Sequence, residues 1–254
     1  MRHALFAMTV LLVSIPAFAE KSDSCSIGTG RWDEKISFGW NRGECNEGRH
    51  CHEGETDMEW SRWSGVTPQD LGREGAAIDA RMTAEAGEMR CVGTVHEGEL
   101  RGTYSFTPNQ DFAKRMEAMG FDDQTPDRLQ GYALLDVNIA WVKDLQDAHV
   151  KGMTAEKLMG LRALKVDANY VRAMAADGYP ELGADKLTSM KAVGVTPEKV
   201  KAVRAMGFSP TEEELIQMSV FKIDAPFVER MKARGFKNLT IAQMVQIKVF
   251  KLDE

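Results

Sequence analysis

The chain has 254 residues, a formal net charge of −6, 28% charged residues and 43% hydrophobic residues. That balance excludes a disordered acidic chain and a multi-span membrane bundle, and a pI near 5.5 argues against a general nucleic-acid binder. The length suits one large domain or two ordinary ones.

Met1-Arg2-His3 lead into an apolar run from Ala4 to Ile15, followed by Pro16-Ala17-Phe18-Ala19. A basic start, a short apolar core and small residues at Ala17 and Ala19 predict a secretory signal peptide over residues 1–19. The run is shorter than the roughly 20 residues a spanning helix needs. The expected product is periplasmic or secreted, with no stable membrane insertion after cleavage. All four cysteines, Cys25, Cys45, Cys51 and Cys91, follow this leader. An even count in an exported chain predicts two disulfides, with three connectivities open. The favoured one pairs Cys45 with Cys51 as a local clasp and Cys25 with Cys91 as a long bridge.

Residues 20–108 carry ten Lys or Arg against 17 Asp or Glu, whereas residues 109–254 carry 21 of each. The acidity therefore belongs to the first region, which also holds four of the five tryptophans. Apolar residues alternate there at Trp32, Ile36, Phe38 and Trp40. They alternate again at Ala76, Ile78, Ala80 and Met82, at Met89, Cys91, Gly93 and Val95, and at Leu100, Gly102, Tyr104 and Phe106. Period two predicts half-buried antiparallel strands. Glu85-Ala86-Gly87 and Glu97-Gly98 mark hairpin turns. A further strand is expected over Thr56 to Trp63, and a short helix over Gly65 to Leu71 with Thr67-Pro68 as its start. Residues 20–108 thus form a small antiparallel sheet or open barrel of about five strands.

From Asn109 the period changes. Asn109, Asn138, Asp167, Thr196 and Asp224 recur at spacings of 29, 29, 29 and 28, and each is a helix-capping residue type. Gly120, His149, Gly178, Gly207 and Gly235 follow at the end of the first helix of each unit, each before an apolar residue. Second helices open at Thr125, Thr154, Gly183, Thr211 and Thr240, with core positions four residues on. The units close on Val137, Val166, Val195, Ile223 and Leu252. The predicted class is α+β: a disulfide-bearing antiparallel β domain over 20–108, then an α-helical, solenoid-like array of five two-helix units over 109–254. Met116, Met174 and Met231 share one register with Leu145 and Val203, so they read as core rather than metal ligands.

Gly194-Val195-Thr196-Pro197-Glu198 and Arg204-Ala205-Met206-Gly207-Phe208, with the preceding Gly102-Thr103-Tyr104-Ser105-Phe106-Thr107-Pro108, resemble segments of uncharacterised exported bacterial proteins. They are also similar to C-terminal extensions of membrane metallopeptidases of the β-lactam sensor kind. The resemblance implies helical packing units and a setting in envelope signalling. It implies no proteolysis, since the His-Glu-x-x-His zinc motif is absent.

Cys45, His50, Cys51 and His52 are the right residue types for zinc or copper, but oxidised cysteines cannot ligate. A disulfide loop is the expected reading, with His50 and His52 as an alternative metal or redox site. No nucleophile motif, phosphate loop or dinucleotide turn is present, so nothing supports an enzyme and no cofactor is expected. Trp32, Trp40, Trp60 and Trp63 suit core filling better than a sugar-stacking patch. The expected function is non-catalytic protein binding or scaffolding, with a protein or peptide partner. Arg162, Lys165, Lys191, Lys201, Arg204 and Lys222 are the candidate contact residues, because they vary between units.

Overall fold

The computed structural model describes residues 23–31, 34–42 and 52–253, with only the backbone of His52. The first half folds into a seven-stranded antiparallel sheet and the second into helices, so the class is α+β. The strands are β1 (Ser24–Thr29), β2 (Lys35–Arg42), β3 (His52–Glu59), β4 (Trp63–Ser64), β5 (Ala77–Ala84), β6 (Gly87–His96) and β7 (Glu99–Pro108), in the order β3-β2-β1-β7-β6-β5-β4. A 3₁₀ turn (Trp60–Arg62) and helix α1 (Pro68–Leu71) lie between β3 and β5. Thr67 caps α1 in a full capping box with Asp70.

Seven strands replace the expected five. β1 carries only two buried apolar residues, Cys25 and Ile27, and β4 is two residues long, so neither leaves a readable alternation. The segment expected to run from Thr56 to Trp63 starts earlier and stops at Glu59, because Trp60–Arg62 turn as a 3₁₀ helix. Elsewhere the alternation matches the structure. Ile36 and Phe38 are buried on β2, Ile78, Ala80 and Met82 on β5, and Met89, Cys91 and Val95 on β6. Glu97 and Gly98 both take positive φ between β6 and β7, as a type I′ hairpin turn requires.

Cys25 and Cys91 form the long disulfide. They lie on β1 and β6, which flank β7, so a flat sheet would hold them about 10 Å apart. Their Cα atoms are 5.9 Å apart, so the sheet is folded across β7 at this point. Gly93 and Gly102 permit it: a Cβ at Gly102 would stand 2.1 Å from the Val92 carbonyl oxygen, and one at Gly93 would stand 2.0 Å from that of Arg101. Only hydrogen fits between these backbones.

The chain divides into two compact units. Among the described residues, one holds those up to Ser61 with Gly65–Ala80 and Cys91–Ser105. The other holds Arg62–Ser64, Arg81–Arg90 and everything from Phe106. In the second unit ten helices follow β7. Helices α2 (Gln110–Ala118), α4 (Ile139–Asp147), α6 (Ala168–Ala176), α8 (Pro197–Ala205) and α10 (Ala225–Ala233) start after Asn109, Asn138, Asp167, Thr196 and Asp224. Each of those five side chains accepts a backbone N–H bond from the first turn. Helices α3 (Pro126–Leu135), α5 (Ala155–Ala163), α7 (Ala184–Ala192), α9 (Glu212–Val220) and α11 (Ile241–Val249) start after Thr125, Thr154, Gly183, Thr211 and Thr240. Gly183 alone brings no capping side chain.

All ten helices stop the same way. The residue after the cap, or in α3 the cap Asp136 itself, takes positive φ, and the next residue's N–H returns five positions, as Phe121 does to the Met116 carbonyl and Val166 to that of Leu161. Gly120, Gly178, Gly207 and Gly235 supply that conformation for the first helices, and His149 adopts it at φ 60°. The second helices use Asp136, Lys165, Gly194, Lys222 and Lys251. In packing, α3, α5, α7, α9 and α11 touch in series, and so do α2, α4, α6 and α8. Met116, Leu145, Met174, Val203 and Met231 are all buried, as are Leu129, Leu158, Leu187, Leu215 and Met244. Among the described residues, no helix is long and apolar enough to cross a membrane.

Candidate interaction surface

Three residues after each first-helix cap stand Phe112, Trp141, Tyr170, Lys199 and Phe227. The aromatic ones are buried, and two of them hydrogen-bond to the residue that ends the second helix. Trp141 Nε1 donates to the Val166 carbonyl at 2.9 Å, and the Tyr170 hydroxyl donates to that of Val195 at 3.0 Å. A cation from the second helix covers three of the rings. The Arg162 guanidinium lies 5.3 Å from the Trp141 centroid, Lys191 Nζ 4.5 Å from Tyr170 and Lys248 Nζ 4.6 Å from Phe227. Each of these ties joins a first helix to the second helix that follows it. Burial pushes the Tyr170 hydroxyl up to about 12. Tyr132 is likewise pushed to about 12 by burial, and its hydroxyl donates to the Ala155 carbonyl at 2.6 Å.

The six candidate contact residues therefore separate into two kinds. Arg162, Lys191, Lys201 and Arg204 are engaged within the fold. Besides covering Trp141, Arg162 reaches Asp136 at 2.6 Å and the Leu135 carbonyl at 3.2 Å, closing the end of α3. Arg204 lies 5.7 Å from the Tyr179 centroid, and Lys201 Nζ is 4.0 Å from Asp177. Lys165 and Lys222 differ: both are exposed and sit at the left-handed stop of a second helix, at φ 55° and 52°. Lys251 takes the same place after α11.

Sequence reasoning missed Arg62, because its partners lie 71 and 72 residues away. Its guanidinium donates to the Leu134 and Ala133 carbonyls at 2.5 and 2.6 Å, beside Asp136 and Arg162. Burial pulls its pKa down, Asp136 opposes that shift and Arg162 adds to it. The carbonyls at the end of α3 are what two arginines have in common.

In the strand-rich unit, Cys45, His50 and Cys51 lie outside the described residues, as does the side chain of His52, whose backbone begins β3. Trp32 lies outside them too. Trp63 is buried, whereas Trp40 is half-buried and stacks on Phe38 with centroids 5.5 Å apart. Among the described residues, no three His, Cys, Asp or Glu side chains are grouped so as to hold a metal ion. One polar relay had no sequence signal, since Glu74 lies 22 residues from His96. Thr94 Oγ1 lies 3.0 Å from His96 Nε2, and His96 Nδ1 lies 3.0 Å from Glu74. Glu74 also accepts from the Glu97 N–H, which with His96 lowers its pKa. Both side chains of the pair are more than half exposed, so water reaches every member and the relay acts as a clasp on the β6–β7 turn. A groove of about 780 Å³ beside β1, β2 and β3 is lined by Ser26, Asn41, Glu53, Glu55, Glu99 and Arg101.

No family model, curated protein or solved structure matches this chain.

Proposed function

We propose that the chain is an exported, non-catalytic protein-binding protein whose helices form a five-unit repeat array. The support for the array is its register: ten caps, ten left-handed stops and ten core positions recur at the same offsets. Stacked helix pairs build extended surfaces suited to holding peptides or proteins. The Cys25–Cys91 bridge fits an oxidising compartment such as the periplasm. Resemblance to sensor-peptidase extensions adds envelope signalling as the setting.

One observation carries the binding reading. Lys165 and Lys222 hold a backbone conformation that costs a side-chain-bearing residue roughly 1–2 kcal/mol, at a position where Gly194 serves without that cost. A lysine there complements the helix C-terminus and also sets a cation at the same place on the second and fourth units, with Gly194 between them. These two lysines suit an acidic protein or peptide. Affinity capture from envelope extract tests it, with the full chain compared to a Lys165→Glu, Lys222→Glu double variant. At least a tenfold loss of one specific partner is expected, while the helical circular dichroism is unchanged. Equal capture by both proteins, or no specific partner, overturns the reading.

A further inference from the structure

Each first helix stops at a left-handed residue followed by an apolar one, and in the third unit that apolar residue is Tyr179. Tyr179 is buried, its hydroxyl donates to the Pro210 carbonyl at 2.7 Å, and the Arg204 guanidinium lies 5.7 Å from its ring centroid. The socket that holds this ring is made by the next unit, since Arg204 belongs to α8 and Pro210 stands just before Thr211, the cap of α9. One unit further on, the same register puts Lys232 of α10 in the place of Arg204 and Leu239, just before the α11 cap Thr240, in the place of Pro210. Phe208 stands where Tyr179 stands, but it has no hydroxyl to donate to a carbonyl and is half-exposed. Contact between first helices is also weaker between α8 and α10 than between the earlier pairs. A pocket of about 270 Å³ lies there beside Phe208, lined by Met206, Val228, Met231, Leu239 and Met244, with exposed Lys232 next to them. Val228, Met231 and Met244 are buried, so the floor is apolar. Helices α8 and α10 both precede α11, and the pocket lies between two units instead of beyond the last one.

We propose that this pocket takes the side chain of a tyrosine presented by a peptide segment of a protein partner. Tyr179 supplies the pattern: a phenol seated with its hydroxyl on the carbonyl before a second helix and with a cation over its ring. In the pocket the Leu239 carbonyl is the acceptor and Lys232 brings the cation. An apolar cavity of about 150 Å³ is enough for benzene, so 270 Å³ has room for one substituted ring and not for two. Methionine adapts to an aromatic neighbour and its sulfur is attracted to the ring edge, and Met206, Met231 and Met244 all line the pocket. A tyrosine ring is substituted at opposite ends. Its hydroxyl therefore turns inward while its backbone leaves past the half-exposed Met206, Phe208 and Leu239.

The proposal rests on the protein-binding reading for the source of the ring. Its test uses synthetic peptides instead of captured partners, so it and the Lys165 and Lys222 comparison fail separately. The oxidised full chain, isotope-labelled at its methionine methyl groups, is titrated by NMR with end-blocked Gly-Tyr-Gly, Gly-Phe-Gly and Gly-Ala-Gly. The tyrosine peptide is expected to bind with a dissociation constant on the order of 1 mM. It shifts the methyl signals of Met206, Met231 and Met244 and leaves those of Met116 and Met174 in place. The phenylalanine peptide lacks the hydroxyl and is expected to bind about fivefold more weakly, and the alanine peptide not at all. Leu239→Trp, at a half-exposed position, fills the pocket and abolishes binding. Lys232→Ala removes the cation and weakens binding about threefold, with thermal unfolding unchanged. Equal shifts from all three peptides, no saturation by about 10 mM, shifts centred on other methionines, or undiminished binding to both variants overturns the proposal. Free p-cresol bound where the tyrosine peptide is not overturns the peptide as the source of the ring.

Discussion

The pair α8 and α9 lacks the tie that joins α4 to α5, α6 to α7 and α10 to α11, which makes it a place to add one. Lys199 stands where Phe112, Trp141, Tyr170 and Phe227 stand in the other units, and Ser219 occupies the place of Arg162, Lys191 and Lys248. Burial lowers the pKa of Lys199, with Asp224 opposing, so its charge is held at some cost. Ser219 Oγ is buried without a hydrogen-bond partner among the described residues. Lys199→Tyr is therefore expected to stabilise the helices. The hydroxyl gains the bond that Tyr170 makes to Val195, here to the Ile223 carbonyl, for about 1 kcal/mol. The ring buries more apolar area than a lysine stem, for about 1 kcal/mol more. A gain of about 2 kcal/mol raises Tm by about 4–8 °C in a domain of this size. Adding Ser219→Lys places an ammonium over the new ring for a further 0.5–1 kcal/mol, roughly. Thermal unfolding followed at 222 nm reads both steps. An unchanged or lower Tm for the single variant would mean that the fourth unit is not built on the register of its neighbours, and the tie would lose its meaning as a shared device.

Reduction of Cys25–Cys91, whose sequence separation is 66, is expected to cost the strand-rich unit about 4 kcal/mol on the chain-entropy model. Urea unfolding with and without reductant, followed by tryptophan fluorescence, checks it, and coincident curves count against the bridge. Tyr132 and Tyr170 stay neutral in the fold up to about pH 12, while unfolded tyrosine ionises near 10. Their folded pKa values are raised, so the stability they contribute is complete below pH 10 and is lost as pH rises from 10 through about 12. Absorbance at 295 nm is expected to show at least two of the four tyrosines titrating late, together with loss of helix. Ordinary titration near 10 with helix intact would refute their burial.

What the sequence disclosed, and what it hid, follows from how local each signal is. Helix starts were legible because Asn109, Asn138, Asp167, Thr196 and Asp224 each act on the turn directly after them. First-helix stops were legible because glycine marks the left-handed position. The second-helix stops were not, since Asp136, Lys165, Lys222 and Lys251 take that position without glycine's signature. The aromatic ties escaped notice because each joins residues 21 or 25 apart and Lys199 interrupts the row. Arg162, Lys191 and Arg204 looked free for a partner, yet in the fold they lie on aromatic rings. No pattern along the chain reveals a ring more than 20 residues away. β1 was invisible because its neighbours supply the burial that its own six residues do not announce.

The position of β1 has a consequence for the order of events during synthesis. It lies between β2 and β7, with Cys25 opposite Trp40 on one side and Gly102 on the other. The first strand made thus waits for the last strand of the sheet before its second edge is satisfied. The helices after Pro108 make mostly near-neighbour contacts and can assemble as they emerge. Low contact order favours fast folding and long-range strand pairing slows it. The N-terminal segment is therefore expected to leave the ribosome first and reach its native pairing late, with Cys25 awaiting a partner that lies 66 residues downstream.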